Sequence, residues 1–163
     1  MTNISEKTVS LLKSSGLTLV TAESCTGGLI AKMITDVSGS SSVFECGIVS
    51  YSNRIKTAIL GVREETLAEH GAVSEETVTE MALGAIKASG ADVSVAVSGI
   101  AGPLSDNTSK PVGLIWLAVC VNGKVTTKRL NNTFDVNIRE NNRNSAANEA
   151  LRLLCETIET AVT

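Results

Sequence analysis

Apolar residues recur along this chain at two spacings, and the switching between them predicts its layers. "MTNISEKTVSLLKSSG" alternates polar and apolar residues at helical spacing. Leu17–Thr21 is a short run of β-formers, after which Leu29, Ile30, Met33, Ile34 and Val37 fall on one helical face, predicting a helix from Gly28 to Val37. "GIVSY" (47–51) predicts a second strand, followed by a short helix over "NRIKTAILG" with Asn53 as N-cap and Gly61 as the stop. Ser74 caps a longer helix in which Glu75 and Glu76 suit the positive end of the dipole and Gly90 ends the run. "DVSVAVSGIAGP" predicts a strand entering a glycine-rich loop, and "VGLIWLAVCV" a central strand covered on both faces. Asn122-Gly123 is a hairpin turn signal before "KVTTKRL", and Ala146, Ala150, Leu151, Leu154, Ile158 and Val162 predict a long C-terminal helix. Strands alternating with helices predict an α/β fold, a three-layer α/β/α sandwich with a mixed, mostly parallel central sheet.

The 163 residues suit one domain spanning 1–163, and 43% hydrophobic composition supplies a sizeable core. No repeat or linker divides the chain. With 14 basic against 17 acidic residues and no basic stripe, nucleic acid is not expected as a partner. No apolar stretch reaches membrane-spanning length, and the N-terminus lacks a secretory pattern, so a cytoplasmic protein without a membrane partner is expected. Cys25, Cys46, Cys120 and Cys155 are scattered without a CxxC pair and His70 is the single histidine, which suggests reduced thiols and no metal site.

Three polar loops stand where strands run into helices or end, the places where ligands gather in open α/β sheets. In the first, residues 22–28 (AESCTGG), Ser24 or Thr26 caps the helix or does chemistry, Gly27 and Gly28 place backbone donors near a ligand, and Cys25 is either a nucleophile or a small packed residue. The Gly-Lys-Ser/Thr ending of a triphosphate loop is absent. The second, residues 39–56, holds "GSSS", Tyr51 and Lys56; a desolvated lysine serves as base to a serine without histidine, the alternative being a solvated helix lysine. His70 beside Gly71 reads as a helix end, which disfavours a histidine-based triad. The third, residues 98–113, carries Ser98 and Gly-Ile-Ala-Gly-Pro, tight backbone suited to approaching a ligand. Lys110, Arg139 and Arg143 either meet a phosphate or, for the two arginines four apart, line an exposed helix face.

Taken in order, "TAESCTGGLIA", "GSSSVFECGIVSYSNRIKTAILGV", "GAVSEETVTEMALGAIKASGADVSVAVSGIAGP" and "KPVGLIWLAV" resemble the C-terminal domain of the CinA (competence/damage-inducible) family over nearly the whole chain. The resemblance implies a homo-oligomeric α/β/α nicotinamide-nucleotide amidase that hydrolyses the carboxamide of nicotinamide mononucleotide, a small pyridine nucleotide, without a cofactor or metal. By motif position it implies Ser41 as nucleophile, Lys56 as base and Tyr51 as a proton partner. Ser24, Thr26, Gly27 and Gly28 then help position the amide, with Ser24 the reserve nucleophile. Ser98, Gly99, Ala101 and Gly102 form a second substrate loop, and Arg139 meets the ribose phosphate. The chain departs from the family pattern at "LSDNTS" (104–109), where paired glycines are usual, at Cys46, and at Asn137-Ile138. Those departures keep a non-catalytic nucleotide-binding or interaction module as the alternative.

Overall fold

The computed structural model describes residues 3–163. In chain order the elements are α1 (Ile4–Ser15), β1 (Leu19–Glu23), α2 (Leu29–Thr35), a single 3-10 turn (Ser40–Ser42), β2 (Phe44–Val49), α3 (Asn53–Leu60), α4 (Glu64–His70), α5 (Glu75–Ser89), β3 (Val93–Gly99), β4 (Leu114–Val121), β5 (Lys124–Asn131) and α6 (Ile138–Val162). The five strands form one sheet in the order β2-β1-β3-β4-β5. β1 lies parallel to both β2 and β3, whereas β4 is antiparallel to its neighbours β3 and β5. Val121 faces Lys124 across the two-residue turn at Asn122 (φ 53°) and Gly123 (φ 74°), the left-handed pair that a tight hairpin requires.

Side chains alternate across the sheet and feed two separate cores. One face carries Leu19, Val93, Val95, Ile115, Leu117 and Val119, packed with residues of α1, α2 and α6 such as Leu12, Ile34, Leu151 and Leu154. The other carries Val20, Ala22, Ala96 and Ala118 beneath α3 and α5, where Leu60, Val78, Met81 and Ala85 are buried. The mixed α/β/α sandwich expected from the periodicity is the fold observed.

α3 packs on α5 so closely that a Cβ on Gly84 would stand 1.7 Å from the carbonyl oxygen of Leu60. Glycine at that position sets how near α3, the helix bearing Lys56, lies to the rest of the molecule. Several local expectations differ from the structure: β1 runs Leu19–Glu23 rather than Leu17–Thr21, and α2 runs Leu29–Thr35 rather than Gly28–Val37. The N-cap of α3 is Ser52, whose hydroxyl accepts from the Ile55 N–H at 3.2 Å, rather than Asn53. β2 begins at Phe44 and ends at Val49 instead of spanning 47–51, because an edge strand with alternating exposure shows no continuous apolar run at Phe44–Cys46.

Candidate active site

The site begins at the end of β1. Glu23 is fully buried, and its carboxylate accepts from the backbone N–H groups of Ile30 (2.8 Å) and Ala31 (3.0 Å) and from the Thr21 hydroxyl (3.3 Å). Gly28, at the N-cap position of α2 with φ 97°, has no side chain to offer, so a carboxylate from before the loop satisfies the first turn instead. The intervening residues, Ser24–Gly28, therefore form a short loop whose two ends are joined by one side chain. The Gly27 N–H closes it internally on the Ser24 carbonyl at 3.0 Å. Arg143 of α6 closes it from outside, donating from Nε to the Cys25 carbonyl (3.1 Å) and from Nη2 to the Thr26 carbonyl (2.8 Å).

Lys56, one turn into α3, points beneath that loop. It is only 1% exposed. Its Nζ lies 2.9 Å from Ser24 Oγ and donates to the carbonyl oxygens of Ser50 (2.7 Å) and Tyr51 (3.4 Å). The Ser50 N–H is in turn held by the Glu23 carbonyl at 2.8 Å, so the lysine's acceptor is tied by hydrogen bonds to the strand that bears the serine. Burial disfavours the ammonium, with no carboxylate paired to it among the described residues, and lowers the Lys56 pKa from 10.5 to about 8. About a tenth of the molecules then hold it as a neutral amine at pH 7. Cys25, the neighbouring thiol, is driven the other way: burial pushes it up to about 12, so it does not furnish a thiolate near neutrality.

Ser24 and Lys56 open onto a pocket of about 250 Å³. Its walls are Ser98–Gly102 at the end of β3, Ala72 and Val73 between α4 and α5, and Leu104–Asp106. At the mouth, Arg139 donates to the Tyr51 hydroxyl (3.0 Å) and to the Gly102 carbonyl (2.9 Å). Lys110 ties the third loop to the α4–α5 turn through the carbonyls of His70 (2.5 Å) and Val73 (2.6 Å).

The structure brings Ser24, Lys56, Ser98, Gly99, Ala101, Gly102, Tyr51 and Arg139 around one pocket. It does not bring Ser41 to Lys56: Ser41 is exposed on the 3-10 turn and lies outside the pocket lining, and the hydroxyl in contact with the lysine is that of Ser24. Tyr51 meets Lys56 through its carbonyl alone, while its ring is 61% exposed and its hydroxyl belongs to Arg139. Thr26, Gly27 and Gly28 shape the loop without lining the pocket; the buried Thr26 hydroxyl makes no hydrogen bond among the described residues. Lys110 and Arg143 hold backbone carbonyls, and His70 lies against Glu69 and Glu76. The roles of Glu23 and Arg143 escape sequence reasoning, although "AES" at a strand end followed by a glycine at the helix start is a signal for a displaced cap.

Comparison with known proteins agrees with this fold. The model of the CinA C-terminal domain matches residues 1–158. The nicotinamide-nucleotide amidohydrolase PncC of Escherichia coli K12 is 55% identical over 127 residues, 77% of each chain, and that of Shigella flexneri is 58% identical over 115 residues, covering 71% of this chain and 70% of the relative. The crystal structure of the competence/damage inducible protein CihA from Agrobacterium tumefaciens superposes with a TM-score of 0.89 at 41% identity, over 96% of this chain and 93% of the other. With a family model matched over almost its entire length and relatives above half identical, the chain belongs to the CinA C-terminal domain family.

Proposed function

We propose that this protein is a nicotinamide-nucleotide amidase that hydrolyses the carboxamide of nicotinamide mononucleotide to nicotinate mononucleotide and ammonia, with Ser24 as nucleophile and Lys56 as its base. The supporting observation is the 2.9 Å contact between a buried lysine and a serine hydroxyl at the floor of a pocket. The substrate class follows the activity for which the relatives above half identical are named.

A neutral lysine has two N–H bonds and one lone pair. The carbonyls of Ser50 and Tyr51 take the two hydrogens, which leaves the lone pair for Ser24. In the first step the Ser24 proton passes to Nζ as Oγ bonds to the amide carbon and the C=O electron pair moves onto oxygen. The resulting ammonium gives a proton to the amide nitrogen, the C–N bond breaks and ammonia leaves, restoring the neutral lysine beside an ester. Water then gives a proton to Nζ while its oxygen bonds to the ester carbon; the C–Oγ bond breaks, and Ser24 regains its proton from the lysine. Arg139, at the mouth, meets the substrate phosphate, with Ser98–Gly102 as the wall along which the nucleotide lies. No step in this scheme calls for a cofactor.

This reading also treats the protein as a homo-oligomer in the cytoplasm. β2 is an edge strand whose Val49 is 49% exposed, which suits contact with a second copy. Sedimentation analysis tests the assembly: a species heavier than one chain is expected, and a monomer at micromolar concentration contradicts it. Among the described residues no helix is long and apolar enough to cross a membrane.

The functional test is incubation with nicotinamide mononucleotide, assayed for ammonia and for nicotinate mononucleotide, alongside the nucleoside that lacks the phosphate. Equimolar release of both products, much faster with the nucleotide, is expected. Binding of the nucleotide without ammonia would instead favour the non-catalytic module to which the altered loop 104–109 points.

A further inference from the structure

Both arginines of the α6 N-terminal half face the site, but they meet different things. Arg139 sits at the pocket mouth, whereas the guanidinium of Arg143 is spent on two successive backbone carbonyls, those of Cys25 and Thr26. The Ser24 carbonyl is bound as well, by the Gly27 N–H. All three carbonyls that follow the attacking oxygen along the chain are thus held in place.

In a trans peptide the N–H points opposite to the C=O of the same unit. Fixing the Ser24 carbonyl fixes the direction of the Cys25 N–H, and fixing the Cys25 carbonyl removes the remaining rotation of residue 25. Among the described residues no carbonyl accepts from the N–H of Cys25 or of Thr26. Of these two residues Cys25 lines the pocket, directly after Ser24, while Thr26 is fully buried. A donor immediately following the attacking serine is where the oxygen of a tetrahedral intermediate needs one.

We infer that Arg143 is a positioning residue that locks the Ser24–Thr26 backbone so that the Cys25 N–H stabilises the oxyanion formed during amide hydrolysis. A guanidinium suits the task because its planar fork reaches two adjacent carbonyls at once. Gly27, in the left-handed region at φ 59°, lets the loop turn beneath the fork: a Cβ there would stand 3.5 Å from Arg143 Nη2. The inference rests on Ser24 being the attacking group. It assigns Arg143 no contact with the substrate.

Steady-state ammonia release from nicotinamide mononucleotide by the full chain, comparing wild type with Arg143→Ala and Arg143→Lys, tests it. Thermal melting of each variant runs in parallel. Arg143→Ala is expected to lose about 30- to 300-fold in kcat with KM within threefold, by analogy with loss of an oxyanion donor. Guanidinium ion at tens of millimolar is expected to return at least tenfold of that kcat. Arg143→Lys retains a cation but reaches one carbonyl, so an intermediate kcat is expected; it carries the test if the alanine variant does not fold. A rise in KM at unchanged kcat, or kcat within threefold of wild type in a folded variant, overturns the positioning role. Inactive wild-type protein, or full activity in Ser24→Ala, overturns the underlying reading and this inference with it.

Discussion

Lys56 Nζ lies 2.9 Å from Ser24 Oγ, and its other two hydrogen-bond partners are the backbone carbonyls of Ser50 and Tyr51. The amine can take the Ser24 proton only when it is neutral. With its pKa lowered to about 8 by burial, kcat/KM is expected to rise tenfold per pH unit below pH 8 and to level off above it. Lys56→Arg keeps the charge and cannot lose its proton near that range, so at least a 10³-fold loss without recovery up to pH 10 is expected. A flat profile between pH 6 and 9 in the wild type would remove the lysine from the proton-transfer step.

The same burial costs stability. Because the folded pKa of about 8 lies below the ordinary 10.5, the unfolded chain binds more protons between those values and wild-type stability increases with pH across that window. The penalty is fully present below pH 8 and is gone above about 10.5. Lys56→Met is therefore expected to be inactive yet more stable than wild type at pH 7, by on the order of 2 kcal/mol, with the gap closing by pH 10.5. Chemical denaturation at both pH values checks the sign.

Arg139 is anchored by the Gly102 carbonyl and the Tyr51 hydroxyl at the pocket mouth and makes no ion pair among the described residues. Arg139→Ala is expected to raise KM for nicotinamide mononucleotide by about 10- to 100-fold, in keeping with a lost charge-assisted contact, and to change kcat much less. Tyr51→Phe removes only the acceptor that steadies Arg139 and should leave kcat within about threefold. A large kcat loss in Tyr51→Phe would restore the tyrosine as a proton partner.

Glu23 accepts three donors inside the protein and substitutes for the missing cap of α2. Glu23→Gln turns one acceptor into a donor that faces a backbone N–H, and a loss of about 2–4 kcal/mol is expected in denaturant unfolding. A change below about 0.5 kcal/mol would mean that this cap contributes little.

The layers, the hairpin and most caps could be read from the sequence because each depends on neighbours in the chain: Ser74 caps α5, Gly61 and Gly90 end their helices, and Asn122-Gly123 turns β4 into β5. The resemblance to the CinA family also implied Lys56, Tyr51, Ser98 and Arg139 as site residues, and all four line one pocket. What depended on contacts across the fold was not readable. Ser24 and Lys56 are 32 residues apart and meet because parallel β1 and β2 end side by side, which no spacing along the chain reveals. The resemblance implied Ser41 rather than Ser24 as nucleophile; a serine-rich turn looks alike in sequence whether it lines a pocket or faces solvent, and Ser41 is exposed outside the pocket lining. Arg143 shared its helical face with Arg139 in sequence, and only the loop packed against α6 distinguishes a clamp on backbone carbonyls from a phosphate ligand.

The choice between the two serines is the most direct test of the account. Ammonia release from nicotinamide mononucleotide at pH 8 is measured for folded Ser24→Ala and Ser41→Ala beside wild type. Loss of a covalent nucleophile is expected to lower kcat by at least about 10³-fold in Ser24→Ala, while Ser41→Ala stays within about threefold. Near-normal turnover by Ser24→Ala together with an inactive Ser41→Ala would contradict the account.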